Sequence, residues 1–360
     1  MSNLSSVHGI RFPGRYIQGP NVFAQLGQHS RELGVEPLAL LDGFLFAELE
    51  PRLRSAFGEA MQPVAVRHGG ECSETEVEHV QKLAATSSSD LIVGIGGGKV
   101  LDTAKAVAHR LGLPVVVVPT IAASDAPCSA LAVVYRDDGT VAYDLFLPRN
   151  PDLVLVDTLL IARAPSRYLA AGIGDALATF YEAEACRRSG AANCMGLPGA
   201  DLAFAIASRC RDGIFAFGEE ALAQCDRNET GPALERIVEA NILLSGIGFE
   251  SGGVAAAHAI HHGLCELDDV HHHLHGEKVA IGVLAGLLIA GETEEFERVR
   301  SFCQTVRLPT RLSDIGITEV TEEKLGIVAR RATREGEIIH NEPMPVTANM
   351  VVSALRALAS

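Results

Sequence analysis

The segment from Asp90 to Val118 restricts the fold more than any other part of the chain. It runs from a short apolar stretch, Asp90-Leu-Ile-Val93, through a turn with glycine at 94, 96, 97 and 98, into a helical pattern from about Leu101 to Leu111, and on to Pro114-Val-Val-Val-Val118. Continuous Val, Ile and Leu runs suit strands buried on both faces, and two of them joined by one helix read as a parallel βαβ unit. Pro37-Leu-Ala-Leu-Leu41 and Pro63-Val-Ala-Val66 extend the alternation toward the N-terminus. Between them and Asp90, Ser73-Glu-Thr-Glu76 has the spacing of a capping box, in which each side chain satisfies the other's free amide and opens a helix to about Ala85. Beyond about Ala164 the chain carries Ala, Leu and Glu at helical spacing with almost no alternating strand pattern. The expected fold is therefore α/β plus all-α. Residues 1–163 would form an α/β domain and 164–360 an all-helical one; 360 residues suit two such units.

Composition removes several classes of function. With 45 acidic against 30 basic side chains, a formal charge of −15 and no basic block, a nucleic-acid partner is not expected, because phosphate binding depends on Lys and Arg. The longest apolar run, Val279 to Ala290, is too short to span a bilayer and reads as a buried helix. Eight cysteines without a C-x-x-C pair suggest free thiols, and the opening MSNLSSVHGIRF lacks the pattern of a secretory signal, so a cytoplasmic location is expected.

The glycine turn follows a strand and opens a helix, the geometry that cradles a diphosphate on backbone amides at a helix N-terminus. It is neither a Walker loop nor G-x-G-x-x-G, since Val100 and Lys99 stand where those motifs need Ser/Thr and Gly. The acidic residue that usually follows is replaced by Asp42, upstream at the end of an earlier strand. From a neighbouring strand it would bind ribose hydroxyls and repel a 2′-phosphate, favouring NAD over NADP. The strand to Val118 leads into a loop of small and hydroxyl-bearing residues through Leu131, in which Asp125 is the sole charge; it reads either as a helix cap or as a functional carboxylate.

Seven of the 13 histidines lie between His258 and His275. On a helix, His258, His261 and His262 share a face. A catalytic divalent site takes three nitrogen or oxygen ligands and keeps a position open, which two histidines from separate segments and one carboxylate would supply. Asp175, read at a helix start in Gly172-Ile-Gly174-Asp175, is the best carboxylate, with an ordinary N-cap as the alternative. His271, His272 and His273 read as surface residues. Neither Leu111–Tyr135 nor Ala240–Gly276 contains an internal Lys or Arg, so a phosphate or carboxylate substrate held there would lack a counter-charge, whereas a small polyol needs none.

GGGKVLDTAK, PTIAASDAPCSAL, LPRNPDLVLVD, GIGDALAT, GFESGGVAAAHAIHHG, LHGEKVAIGV and IHNEPMPVT resemble, nearly end to end, the glycerol dehydrogenases of the iron-containing, or group III, alcohol dehydrogenase family. The resemblance implies NAD-linked, reversible oxidation of glycerol and related vicinal diols to dihydroxyacetone and its analogues, with one Zn2+ per subunit (Fe2+ being the other candidate) and assembly as homo-octamers. It implies that residues 1–163 are a Rossmann-like dinucleotide-binding domain and 164–360 a helical metal- and substrate-binding domain, with the active site in the cleft between them. It also implies metal ligands at Asp175, His258 and His275 and a substrate-contacting carboxylate at Asp125. It places NAD contacts at Asp42, Gly98, Lys99, Val100, Leu101, Asp102, Thr120, Ile121, Ala122, Ala123, Ser129, Leu131 and Tyr135. The alternative within the superfamily is a lyase resembling 3-dehydroquinate synthase, which would need cations in the segments that have none.

Overall fold

The computed structural model describes residues 7–59, 61–136 and 139–359. Its strands are β1 Tyr16–Gly19, β2 Pro37–Leu41, β3 Val64–Arg67, β4 Leu91–Gly96, β5 Val115–Pro119, β6 Leu131–Tyr135, β7 Val141–Phe146 and β8 Leu153–Asp157. In the spatial order β1-β8-β5-β4-β2-β3, six of them form one sheet in which every pairing is parallel; β6 and β7 make a separate antiparallel ribbon. Every residue of β2, β4, β5 and β8 is buried, the condition under which a strand reads as an uninterrupted apolar run. Side chains alternate faces. Leu38 and Leu40 join one apolar cluster while Ala39 and Leu41 join another on the opposite side of the sheet.

Helices α1 Leu26–Ser30, α2 Phe46–Phe57, α3 Glu74–Thr86, α4 Gly98–Leu111 and α5 Thr158–Ala162 accompany the sheet. The remainder is helical: α6 Ser166–Ser189, α7 Asp201–Asp226, α8 Pro232–Glu239, α9 Ser245–Gly252, α10 Ala256–Leu264, α11 His275–Ala290, α12 Thr293–Thr305, α13 Glu322–Ala332 and α14 Ala348–Ala357. The larger apolar cluster runs without interruption from β2, β4 and β5 into α6, α10 and α11, so the helical part is packed onto the sheet part. Among the described residues no helix is long and apolar enough to cross a membrane.

Three local readings change. The glycine turn is tighter than the sequence suggests, because β4 continues through Gly96 and α4 begins at Gly98. A Cβ on Gly94 would lie 2.7 Å from Ala104 Cβ, and one on Gly96 2.7 Å from Val100 Cγ2, so both glycines let α4 lie directly on its own strand. Only half of the capping box forms: Ser73 Oγ accepts the Glu76 amide at 3.4 Å, but the Glu76 carboxylate takes the amide of Gly69 at 2.8 Å instead. The edge strand β1 and the ribbon β6–β7 have no fully buried run to betray them.

β2 lies between β3 and β4, so the chain leaves β2 on one side of the sheet and returns on the other. The carboxyl ends of β2 and β4 thus flank a topological switch point, where open α/β sheets bind ligands. The Asp42 amide donates to Ile95 O at 2.9 Å across that point.

Candidate active site

Asp175, His258 and His275 converge from α6, α10 and α11. Their ligand atoms all lie within 4.8 Å of one another. Asp175 Oδ1 is 3.0 Å from His275 Nε2 and 3.5 Å from His258 Nε2. Asp175 is not at a helix start and caps nothing: it is the tenth residue of α6. The glycines beside it serve contact between backbones. A Cβ on Gly174 would meet Gly276 O at 2.4 Å, one on Gly276 would meet Ala171 O at 1.7 Å, and one on Gly172 would meet Ala122 O at 1.9 Å. Two helices and the loop after β5 therefore touch main chain to main chain, which brings a buried mid-helix carboxylate to the first residue of α11 and to Asp125.

The two histidines present their Nε2 atoms because their Nδ1 atoms are engaged from behind. His258 Nδ1 is 2.6 Å from Glu182 Oε2, and His275 Nδ1 is 3.1 Å from His261 Nε2. Burial opposes charge on His258, but Glu182 and Asp175 outweigh it and hold the imidazole well above its ordinary pKa. Burial likewise opposes charge on Asp175, and here His275 and His258 prevail, keeping the carboxyl below the usual carboxylate range. His261 is pushed well down by burial and then by the surrounding cationic groups, so the imidazole behind His275 is neutral. Asp175 has 1% of its side chain exposed, His258 15% and His275 42%, so the cluster opens on the His275 side. A nitrogen–nitrogen–oxygen set with one open side fits a catalytic divalent ion.

Asp125 stands over this cluster rather than capping a helix. Its amide donates to Asp175 Oδ2 at 3.2 Å, and its own Oδ2 accepts from Ser245 Oγ at 2.8 Å, which is in turn 2.8 Å from Thr179 Oγ1. Burial and then the charge of Asp175 push the Asp125 carboxyl well above its ordinary pKa, partly offset by the Ser245 hydroxyl. Lys105, from α4, reaches the same loop. Its buried ammonium pairs with Asp102 at 2.9 Å and donates to Ala126 O and Leu131 O, so it fixes the loop and leaves no free cation for a substrate anion.

Of the expected nucleotide contacts, Asp42, Gly98, Thr120 and Ile121 lie at the switch point. Gly97 is the N-cap of α4 with no side-chain cap, and a Cβ on Gly98 would find no atom within 4 Å, so the helix N-terminus faces open space. Ile121 lies against Gly97, and Thr120 N donates to Gly96 O. Lys99 pairs with Glu71 and sits 5.4 Å from the Tyr135 ring centroid, which joins the β6–β7 ribbon to the crevice. Several of these residues can meet a ligand only through backbone: the side chains of Val100 and Leu101 are buried, Ala122 O accepts from Asn241 Nδ2, and Asp102 is committed to Lys105 and the Val133 amide. Ser129 Oγ donates to Ala126 O, while Ala123 is half-buried in the loop that leads to Asp125.

Among the other histidines, His262 turns away to Glu337 at 3.1 Å, and His271 and His272 are exposed. His273 departs from the surface reading, lying 3.4 Å from Glu277 with 23% of its side chain exposed. The sequence reading missed Glu182, Ser245 and Thr179. Glu182 follows Asp175 by seven residues, two turns along the same face of α6, and that spacing was the available signal.

The iron-containing alcohol dehydrogenase model matches residues 13–158. A glycerol dehydrogenase from Thermotoga maritima is 49% identical over 96% of this chain and 95% of its own length. The chain belongs to the iron-containing alcohol dehydrogenase family. A glycerol dehydrogenase from Pseudomonas putida is 48% identical over 96% of this chain and 95% of its own. Among solved structures, glycerol dehydrogenase from Schizosaccharomyces pombe matches with a TM-score of 0.94 and 35% identity, covering 99% of this chain and 91% of that one. The parallel sheet and helical C-terminal region described above are the fold shared with that solved structure.

Proposed function

We propose that the protein is an NAD-linked, metal-dependent oxidoreductase that interconverts glycerol and dihydroxyacetone and accepts related small vicinal diols. The observation that carries this reading is the Asp175–His258–His275 cluster opening beneath Asp125, with no free cation in the loop above it. The identity to glycerol dehydrogenases along almost the whole chain supports the choice of substrate. Residues 1–163 would carry the nucleotide and 164–360 the metal, Zn2+ in preference to Fe2+, in a cytoplasmic homo-octamer.

A divalent ion held by Asp175, His258 and His275 supplies Lewis acidity that lowers the pKa of a bound hydroxyl. The protein does the rest. Asp125, whose Oδ2 accepts from Ser245, would hydrogen-bond the adjacent hydroxyl and so favour vicinal diols over simple alcohols. The free amides at the start of α4 bind the diphosphate, and Asp42, across the switch point, accepts from ribose hydroxyls. The lyase alternative requires cations toward a phosphorylated, carboxylated substrate; Lys105 is already spent on Asp102 and two carbonyls. The test is NADH absorbance on adding glycerol, 1,2-propanediol or a sugar phosphate, with and without chelator. Turnover with the two polyols, abolished by chelator and restored by Zn2+, is expected. Chelator-resistant turnover, or turnover of the sugar phosphate alone, would overturn the reading.

A further inference from the structure

We propose that Glu182 is a positioning residue that locks His258 in the one tautomer able to hold a metal, an inference that rests on the metal-site reading above. Glu182 is 2% exposed and spends both carboxylate oxygens on α10. Oε1 accepts the amides of Ala255 and His258, each at 2.9 Å, and Oε2 lies 2.6 Å from His258 Nδ1. A carboxylate only accepts, so Nδ1 must carry a hydrogen, and Nε2, facing the space shared with Asp175 and His275, is the nitrogen left to give up its proton and turn its lone pair to a metal. One group thus fixes three things at once: the start of α10, the plane of the ring, and which nitrogen is bare.

The second histidine is backed differently. His275 Nδ1 meets the neutral His261, and its side chain is 42% exposed against 15% for His258. The anionic backing belongs to the buried ligand alone, so the two histidines are unequal: His258 anchors the ion, while His275 sits on the open side.

Substitution by the isosteric amide separates this role from simple helix capping. In Glu182→Gln the side-chain oxygen can still take the two backbone amides, and α10 keeps its start. The NH2 then faces His258 Nδ1, which must accept; the ring hydrogen moves to Nε2 and points into the metal site. The other rotamer would set the NH2 against two N–H donors. Loss of a carboxylate behind a histidine ligand weakens metal affinity by about 10–100-fold.

Metal-stripped wild type and Glu182→Gln are titrated with Zn2+ against a chromophoric chelator, alongside thermal melting without metal and the visible spectrum of the Co2+ form. Zinc binding about 10–100-fold weaker, altered Co2+ bands and a metal-free melting temperature within about 2 °C of wild type are expected. Equal zinc affinity overturns the proposal, whether or not the melting temperature falls. Should the variant fail to fold, 15N spectra of zinc-loaded, histidine-labelled wild type decide: a hydrogen on His258 Nδ1 supports the assignment, and coordination through Nδ1 overturns it. Wild type that binds no zinc at this cluster would instead overturn the metal-site reading itself.

Discussion

Replacing Gly276 by alanine should disable the site from outside its ligand set. Judged by helix propensity alone, the change near the start of α11 is favourable by up to about 1 kcal/mol. Tertiary packing reverses that sign. The added Cβ would lie 1.7 Å from Ala171 O, 2.6 Å from Ala171 C and 3.0 Å from the Asp175 amide. Real Cβ contacts essentially never fall below 3.0 Å, so α6 and α11 must part by at least the difference from 1.7 Å, and the obstructing atom is backbone that cannot rotate away. His275 immediately precedes Gly276 and lies 3.0 Å from Asp175. A displacement beyond about 1 Å exceeds the roughly 0.2 Å tolerance of metal–ligand distances several-fold. Zinc affinity and kcat are expected to fall about 100-fold or more, and metal-free stability by about 1–3 kcal/mol. NAD affinity should be unchanged, because the proposed nucleotide crevice between β2 and α4 is built from other elements. Chelator competition, thermal melting and nucleotide titration measure the three quantities. A variant that binds zinc normally and melts at or above the wild-type temperature would refute the close-contact reasoning.

Asp175→Asn and His258→Ala are each expected to abolish turnover while NADH, followed by fluorescence, binds within about twofold of wild type, because the cradle and the metal cluster are built from different elements. A Cβ on Gly98 has no atom within 4 Å, so Gly98→Val projects into the open space at the start of α4; a rise in NAD Kd of about tenfold or more with little change in melting temperature is expected, and unchanged NAD binding would count against the cradle. Glu342 is partly buried and accepts the Ala256 amide at 3.1 Å; burial, opposed by that amide and reinforced by Glu182, pushes its carboxyl up to about 7. The folded state therefore binds its proton more tightly than the unfolded chain, so this contribution is full below about pH 4.5 and is lost as pH rises through about 7. Glu342→Gln should remove that loss and be more stable than wild type by about 1–2 kcal/mol at pH 8, with the difference shrinking toward pH 5 in urea titrations; a pH-independent difference would exclude it.

Local chemistry was legible wherever a segment had to satisfy its own backbone or bury itself on both faces. The β2, β4 and β5 runs, the α4 opening and the buried α11 could be read directly, since continuous apolar stretches and glycines at a strand-to-helix turn restrict the chain within a dozen residues. Asp42 could be proposed as a ribose partner, but its place beside Gly96 depends on β2 pairing with β4, a long-range choice. The three expected metal ligands came through resemblance, and the structure brings those side chains together. From spacing alone Asp175 passed for an N-cap, because nothing in GIGDALAT reveals that glycines at 172 and 174 sit mid-helix to let other backbones in.

The order of strands, the burial of Asp175 and the partners of each imidazole were decided only by tertiary structure. Sequence determined which residue types were on hand: a glycine turn for phosphate, histidines concentrated between 258 and 275, and an acidic chain with no basic block. It could not assign Glu182 to His258 or His261 to His275, because a side chain's hydrogen-bond partner depends on which helices lie within 3 Å. That approach is set by backbone contacts at Gly172, Gly174 and Gly276, the last two of which join segments more than a hundred residues apart.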